Sequence, residues 1–444
     1  MNLTKLEQIF DNLWPVNRSI TGPGLRESLH IIQNEMPVDI ERIPSGTQVY
    51  DWKIPPEWTI RDARLTGPDG VVYADFAENN LSVVNYSTPV DDHMRLSELD
   101  SHLYSIESLP DATPRVTTYY NRDWGFCLPQ SIRDSMPKQG EYHAYIDSEL
   151  DPSGSLDFAH GLIEGDTNEE ILLSTYLCHG SLANDNLSGP IAMVSLYNQI
   201  KKWQDRRYTY RFVIVPETIG SLAYLHRYGG HLVDNVISGC VLTCLGGPKP
   251  SLSYKLSREG DSLIDNVIKY LSKIKRDRQI SIRQFDTRGS DERQYCSPGF
   301  NLPVGQFAKT VYGEYKEYHT SSDDKQFMNI SSVAESIKEI NQYLRIIDKA
   351  GLFEATIQHG EPMLSKRELY PTINSPNIDI RLPNTDSTRD QPRILDMMRL
   401  INFADGNENL IEAARKYEIP PHRYISTVEL LLANDLLRYC TDKS

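Results

Sequence analysis

The sequence predicts an α/β fold: a mainly parallel sheet flanked by helices, with an inserted small β-rich module and a C-terminal winged-helix-like domain. Three observations carry that expectation. Apolar strand-like runs alternate with amphipathic helical runs from about residue 115 to 350, a stretch of short alternating runs precedes them, and three short helical patterns close the chain. At 444 residues the chain exceeds the roughly 250–300 that one core usually holds, so two or three domains are expected.

Residues 4–14 and 24–36 carry apolar side chains at helical spacing, with Thr21 to Gly24 as a break between them. From Val49 to Pro110 the texture changes to runs such as TIRDARLTGPDGVVYADF and LSVVNYSTPV, cut by Pro-Asp-Gly and Asp-Asp turns. This is the pattern of a β-rich module. Farther on, EEILLSTYLCH, LSGPIAMVSLYNQIKKW, YRFVIVPE, CVLTCL, SLIDNVIKYLSKIK, LPVGQF and VAESIKEINQYLRIIDKAG succeed one another. Strand–helix alternation at that spacing implies parallel strands covered on both faces. Leu369 to Pro392, rich in Pro, Asn and Asp, reads as a linker or irregular loop. PRILDMMRLINFADG, NLIEAARKYEI and PPHRYISTVELLLANDLLRY then supply three short helices, the size of a winged-helix module. The expected division is therefore 1–48 with 111–352 for the main domain, 49–110 for the insert and 353–444 for the linker and last domain.

A formal charge of −15 opposes nonspecific attraction to nucleic acid or anionic lipid. Acids and bases nearly balance in the last module, whereas a DNA-reading helix brings a basic face. That module is read as a packing element or a contact for a protein partner or a second copy, with nucleic acid disfavoured. The N-terminus lacks the basic start, apolar core and cleavage site of a secretion signal, and no stretch approaches 18 uninterrupted apolar residues, so a cytoplasmic, non-membrane protein is expected. The scattered cysteines, several within apolar runs, fit a reducing compartment. Cys240 and Cys244 lack the second close pair of a zinc knuckle.

In open parallel sheets, ligands bind beyond the carboxyl ends of the strands, and three polar clusters follow such strands. After ILLSTYL comes Cys178-His179-Gly180-Ser181-Leu182-Ala183-Asn184-Asp185-Asn186-Leu187-Ser188-Gly189. His179 and Asp185 either converge on a cation or cap strand and helix, with Asn186 and Gly189 shaping the turn. After YRFVIVP comes Glu217, either an anion at a helix N-terminus or a general base. The third cluster, Gly313 to Asp324, holds His319 beside Tyr318, which could polarise a carbonyl, and Asp323, which could orient the imidazole. Two His, one Asp and a spare Glu at sheet ends are the inventory of a catalytic zinc with an open position.

The order strand-His, Asp-Asn-x-Ser-Gly, strand-Glu-x-x-Gly-Ser, Tyr-His-Thr-x-x-Asp resembles the zinc aminopeptidase superfamily, which includes co-catalytic bacterial aminopeptidases and glutaminyl cyclases. PVNRSITG, PSGTQVYDW, HGSLANDNLSG, RGSDERQYCSPGFNLPVG and GEYKEYHTSSDD are similar to an aminopeptidase-like family often encoded with surface-polysaccharide genes. The resemblance spans nearly the whole chain and implies a β-module interrupting the peptidase domain and a winged-helix-like end. It implies His179, Asp185 and His319 as metal ligands, Glu217 as general base and Tyr318 as the carbonyl-polarising neighbour. Two-metal members have Glu-Glu where this chain has Glu217-Thr218, and a carboxylate where CVLTCLGGP ends in Gly246-Gly247. One zinc ion is therefore expected.

Asp291, Glu292 and Arg293 form a further charged cluster that either meets a substrate ammonium or makes an internal salt-bridge network. Asn17 to Gly22 poses the same question and reads as structural. The expected activity is monozinc hydrolysis of an N-terminal aminoacyl or related small amide bond, on a small molecule or peptide with a free amino group. The alternatives are acyl transfer or cyclisation at one zinc, and a non-catalytic binding platform.

Overall fold

A computed structural model describes residues 2–274, 280–370 and 394–440. The alternating middle of the chain forms one eight-stranded sheet. Its order is Asp39–Pro44, Ser155–Ile163, Thr209–Val215, Glu170–Tyr176, Val236–Leu242, Val304–Ala308, Ser253–Lys255 and Ser281–Arg283. The central four strands run parallel, while Ser155–Ile163, Asp39–Pro44 and Ser253–Lys255 pair antiparallel at the flanks. "Mainly parallel" thus describes the centre, where the functional loops leave the sheet.

Every residue of Glu170–Tyr176 and Thr209–Val215 is buried, as expected of strands covered on both faces. Alternation then assigns each side chain to a layer. Ile171 and Leu173 join one core with helices Ser188–Ile200, Leu263–Ile274 and Ile330–Asp348, whereas Leu172 and Tyr176 join a second core with helix Ile219–Asn235. Each fully buried leucine contributes about 1.5–3 kcal/mol. The first two helices, Leu3–Leu13 and Pro23–Gln33, lie over the first core, and the Asn2 side chain caps the former by accepting from the Lys5 amide at 3.0 Å.

The antiparallel module draws on more chain than 49–110. Glu57–Thr66, Val72–Asp75 and Val90–Arg95 join Glu141–Asp151, which lies between the first and third of these. Glu141–Asp151 alternates buried and less buried residues over most of its length, the period of a half-buried strand. It runs almost directly into Ser155–Ile163 of the main sheet and so ties the insert to the body.

At the C-terminus, strands Leu352–Ala355, Asp405–Asn409 and Leu437–Tyr439 form a small sheet with helices Ile394–Phe403, Leu410–Lys416 and Pro421–Ala433. This domain shares the first core with the main sheet, through Leu400, Ile411, Tyr424 and Leu431 among others. The Tyr424 hydroxyl donates to the Lys349 carbonyl at 3.1 Å, and the Arg207 guanidinium lies 3.7 Å over the Tyr439 ring. Of the expected linker, residues 371–392 lie outside the described residues. No helix among the described residues is long and apolar enough to cross a membrane.

Candidate metal centre

Four loops at the carboxyl ends of the parallel strands build the site. The loop after Glu170–Tyr176 carries His179 and Asp185, the turn after Thr209–Val215 carries Glu217, and the loop after Val304–Ala308 carries Tyr318 and His319. The turn after Val236–Leu242 adds Thr243 and Cys244. One ligand atom from each of His179, Asp185 and His319 lies within 4.8 Å of the others. The Oδ2 of Asp185 and the Nε2 of His319 are 2.9 Å apart, both buried, and without the alignment of a hydrogen bond to any partner. Two buried polar atoms this close without an aligned hydrogen bond leave lone pairs unmet, which a cation contacting both would satisfy. Two imidazoles and a carboxylate are the donor set zinc takes, so the residues fit that ion.

Each candidate ligand is held from behind. The His179 Nδ1 lies 3.2 Å from the Cys178 sulfur, which leaves Nε2 for the cluster and 3.8 Å from Glu217 Oε2. The His179 carbonyl accepts from the fully buried Arg18 at 3.2 Å from Nε and 2.9 Å from Nη2, and Arg18 also donates to the Leu13 and Val16 carbonyls. The Asn17–Gly22 segment is structural here, and its structure bears on the site. Burial, with the positive charge of Arg115 next in weight, holds the His179 pKa well below the usual value, so the ring is neutral as a ligand must be. Burial disfavours ionised Asp185, yet the two histidines and Tyr176 outweigh it and keep its pKa below the usual carboxylate range.

Asp185 is gripped at both ends. Its Oδ1 accepts from the Tyr176 hydroxyl, which also contacts Thr243 Oγ1 at 2.7 Å. Its backbone amide donates to Asp323 Oδ2 at 2.9 Å, and the Asn184 amide to Asp323 Oδ1 at 2.6 Å. Asp323 therefore fixes the Asp185 loop rather than the His319 ring, a correction to its expected role. Asn186 and Gly189 do shape the turn: the Asn186 side chain donates to Thr175 Oγ1 at 3.0 Å and accepts from the Gly189 amide at 3.0 Å. A Cβ on Gly189 would meet Thr175 Oγ1 at 2.4 Å and the Leu242 carbonyl oxygen at 2.5 Å, so only glycine fits. His319 adopts a left-handed backbone, φ 55°, and its carbonyl accepts from the Arg115 amide at 2.8 Å. The Tyr318 ring stacks on His319 with centroids 3.9 Å apart.

Burial, and after it the charge of Asp291, pushes the part-buried Glu217 carboxyl upward, while burial and the charge of Glu292 push up Asp291 against the hydrogen bonds it accepts. Asp291 Oδ1 accepts from the Thr218 amide at 2.7 Å and the Ser221 hydroxyl at 2.9 Å, pinning Thr218 at φ 63°. Glu292 pairs with Lys255 and accepts from Gln306 at 3.0 Å. A cavity of about 400 Å³ opens next to Glu217, lined by Arg293 but by neither Asp291 nor Glu292. Of the three residues expected to bind substrate, Arg293 alone reaches it; the two carboxylates are drawn into internal hydrogen bonds and an ion pair.

Sequence reasoning did not single out Tyr176, Arg115, or the aromatic wall of Trp52, Tyr119 and Tyr120. Tyr176 is the last residue of an apolar strand and looks like core. Arg115 sits in an irregular stretch whose return to the site is visible only in its pairing with residues 319–321.

Residues 7–350 match the family model described as a domain of unknown function, DUF4910, and residues 352–439 match a winged helix-turn-helix model. A Clostridium acetobutylicum protein, provisionally described as a polysaccharide-biosynthesis protein with an aminopeptidase-like domain, is 36% identical over 98% of this chain and 96% of its own. A crystal structure from Clostridium acetobutylicum, provisionally described as a peptidase, superposes with a TM-score of 0.86 at 34% identity, covering 98% of this chain and 96% of that one. A zinc aminopeptidase from Bacillus subtilis shares the fold at a TM-score of 0.55 and 13% identity, over 76% of this chain and 94% of its own.

Proposed function

The chain belongs to the DUF4910 family, and from that premise we propose a metal-dependent hydrolase of aminopeptidase type, cleaving an N-terminal aminoacyl or related small amide bond with one zinc ion held by His179, Asp185 and His319. The observation that carries this reading is the convergence of His179, Asp185 and His319, with Asp185 Oδ2 and His319 Nε2 2.9 Å apart and neither making an aligned hydrogen bond. Zinc bound there would supply Lewis acidity to a scissile carbonyl and to water.

The chain's own groups divide the remaining work. Glu217 Oε2, 3.8 Å from His179 Nε2, takes the proton of the attacking water and returns it to the leaving nitrogen. The half-buried Tyr318 hydroxyl, with no hydrogen bond among the described residues, donates to the oxygen on which negative charge develops. Arg18 and Asp323 keep the ligand loop from relaxing. One ion rather than two is supported by Tyr176, whose hydroxyl donates to the other Asp185 oxygen, and by Thr218 and Gly246, which offer no carboxylate as further ligands.

The Clostridium relative's description points to polysaccharide biosynthesis, and we extend that setting to this chain as a narrow, small-molecule substrate handled in the cytoplasm. The test is elemental analysis of the purified protein and of His319→Ala. About one equivalent of zinc, absent from the variant, with zinc-dependent release from a panel of aminoacyl and N-acyl amides, is the expected result. No tightly bound metal in either protein would refute the proposal.

A further inference from the structure

The cavity beside Glu217 has two unlike walls. Trp52 and Tyr120 come from separate segments, meet edge to face at 5.5 Å between centroids, and remain 41% and 48% exposed, an aromatic surface with no further ring stacked on it among the described residues. Arg293 and Gln294 line it too. Arg293 donates to Thr218 Oγ1 at 3.2 Å and to the Thr287 carbonyl at 3.4 Å, while its buried Nε has no acceptor. No carboxylate pairs with it among the described residues, and a guanidinium has more N–H donors than those two contacts use. Arg115, outside the lining, donates to the hydroxyl of Tyr119, which does line it, at 2.8 Å.

The cavity lining is balanced, one guanidinium (Arg293) against one carboxylate (Glu217), in a chain whose net charge is −15. Glu217 is the one carboxylate in the lining, since Asp291 and Glu292 are turned inward. An ammonium entering here would meet a guanidinium, whose nearest negative charge, Asp291, lies outside the lining; a carboxylate would meet a planar fork of donors. We propose that this cavity is a subsite for a carboxylate-bearing, ring-containing part of the substrate, with Arg293 binding the carboxylate and Trp52 and Tyr120 covering the ring. The inference rests on reading the surroundings of Glu217 as the active site, and it narrows the substrate from a free N-terminal aminoacyl group to a small amide with an acidic end.

The test uses the full-length protein as purified and three probes that share one ring and differ in charge: 3-phenylpropanoate, 3-phenylpropanamide and 3-phenylpropylammonium, titrated by calorimetry. The anion is expected to bind at least about tenfold more tightly than the cation. Arg293→Met should erase that preference, Arg293→Lys should restore part of it, and Trp52→Ala should weaken the anion and the neutral amide alike. Circular dichroism establishes that each variant is folded. His319→Ala separates the two readings. Anion binding that persists there but is lost in Arg293→Met places the carboxylate on Arg293 whether or not metal is present. Anion binding lost in His319→Ala but kept in Arg293→Met places it on the metal and overturns the subsite. Equal or tighter binding of the cation overturns it too. A protein without metal or activity that still shows Arg293-dependent anion binding would refute the hydrolase and leave the subsite standing.

Discussion

Replacing Asp323 by Asn exchanges one oxygen for an amino group at a residue that holds the proposed metal loop without being placed among the ligands. Asp323 is fully buried, and its two oxygens accept separately from the Asn184 amide at 2.6 Å and the Asp185 amide at 2.9 Å. An asparagine has a single carbonyl oxygen, so one of those backbone donors would face another donor. Leaving a buried N–H unmet costs about 1–3 kcal/mol. The loop can avoid that cost only by moving, and moving takes Asp185 Oδ2 away from His319 Nε2. If the ordered loop is needed to hold metal, the cost comes out of binding, and zinc affinity should fall roughly 10- to 100-fold, the range seen when residues behind a ligand are changed. Competition with a chromogenic zinc chelator, at equal protein concentration and with the fold checked by circular dichroism, measures this directly. An Asp323→Asn protein that is folded and binds zinc within about twofold of wild type would refute the argument that this carboxylate sets the Asp185 loop.

Gly189→Ala should lower stability by about 1–3 kcal/mol, because the added methyl would lie 2.4 Å from Thr175 Oγ1 and 2.6 Å from Asn186 Nδ2; an unchanged melting temperature would contradict the packing described. Glu170 bonds Arg211 at 2.6 and 2.8 Å and His231 at 2.8 Å. Burial alone would raise its pKa, but those partners lower it below the ordinary 4.5. A depressed carboxyl contributes stability above the unfolded pKa and loses it as pH falls through the folded value, so wild type should lose stability below about pH 4.5. Glu170→Gln should be less stable at pH 7 by about 3–5 kcal/mol, with a flatter acid limb in pH-dependent melting. Tyr318→Phe should leave metal content and melting temperature unchanged while lowering kcat by about 10²–10³, read from steady-state kinetics on whichever amide the screen identifies.

The parallel centre of the sheet was legible because Glu170–Tyr176 and Thr209–Val215 are mostly apolar short runs, each followed by polar residues, the pattern expected of a strand buried on both faces. His179, Asp185, Glu217, Tyr318 and His319 were legible for the same reason, since each lies in a loop leaving such a strand. The extent of the β-module was not, because Glu141–Asp151 pairs with strands more than 40 residues earlier in the chain and nothing local announces its partner.

What the sequence determined alone is therefore the order of strands and helices and the set of polar residues at the strand ends. What only the tertiary structure decided is which way those residues face. Asp291, Glu292 and Arg293 are neighbours in the chain, yet Asp291 turns to the Thr218 amide, Glu292 to Lys255, and Arg293 alone to the cavity. Likewise Arg18 and Arg115 come from two remote segments to meet Tyr176 around His179 and Asp185. Local spacing sets an element's period, but the partner of a buried charge is whichever group the packed chain brings within reach, and that is a property of the whole fold.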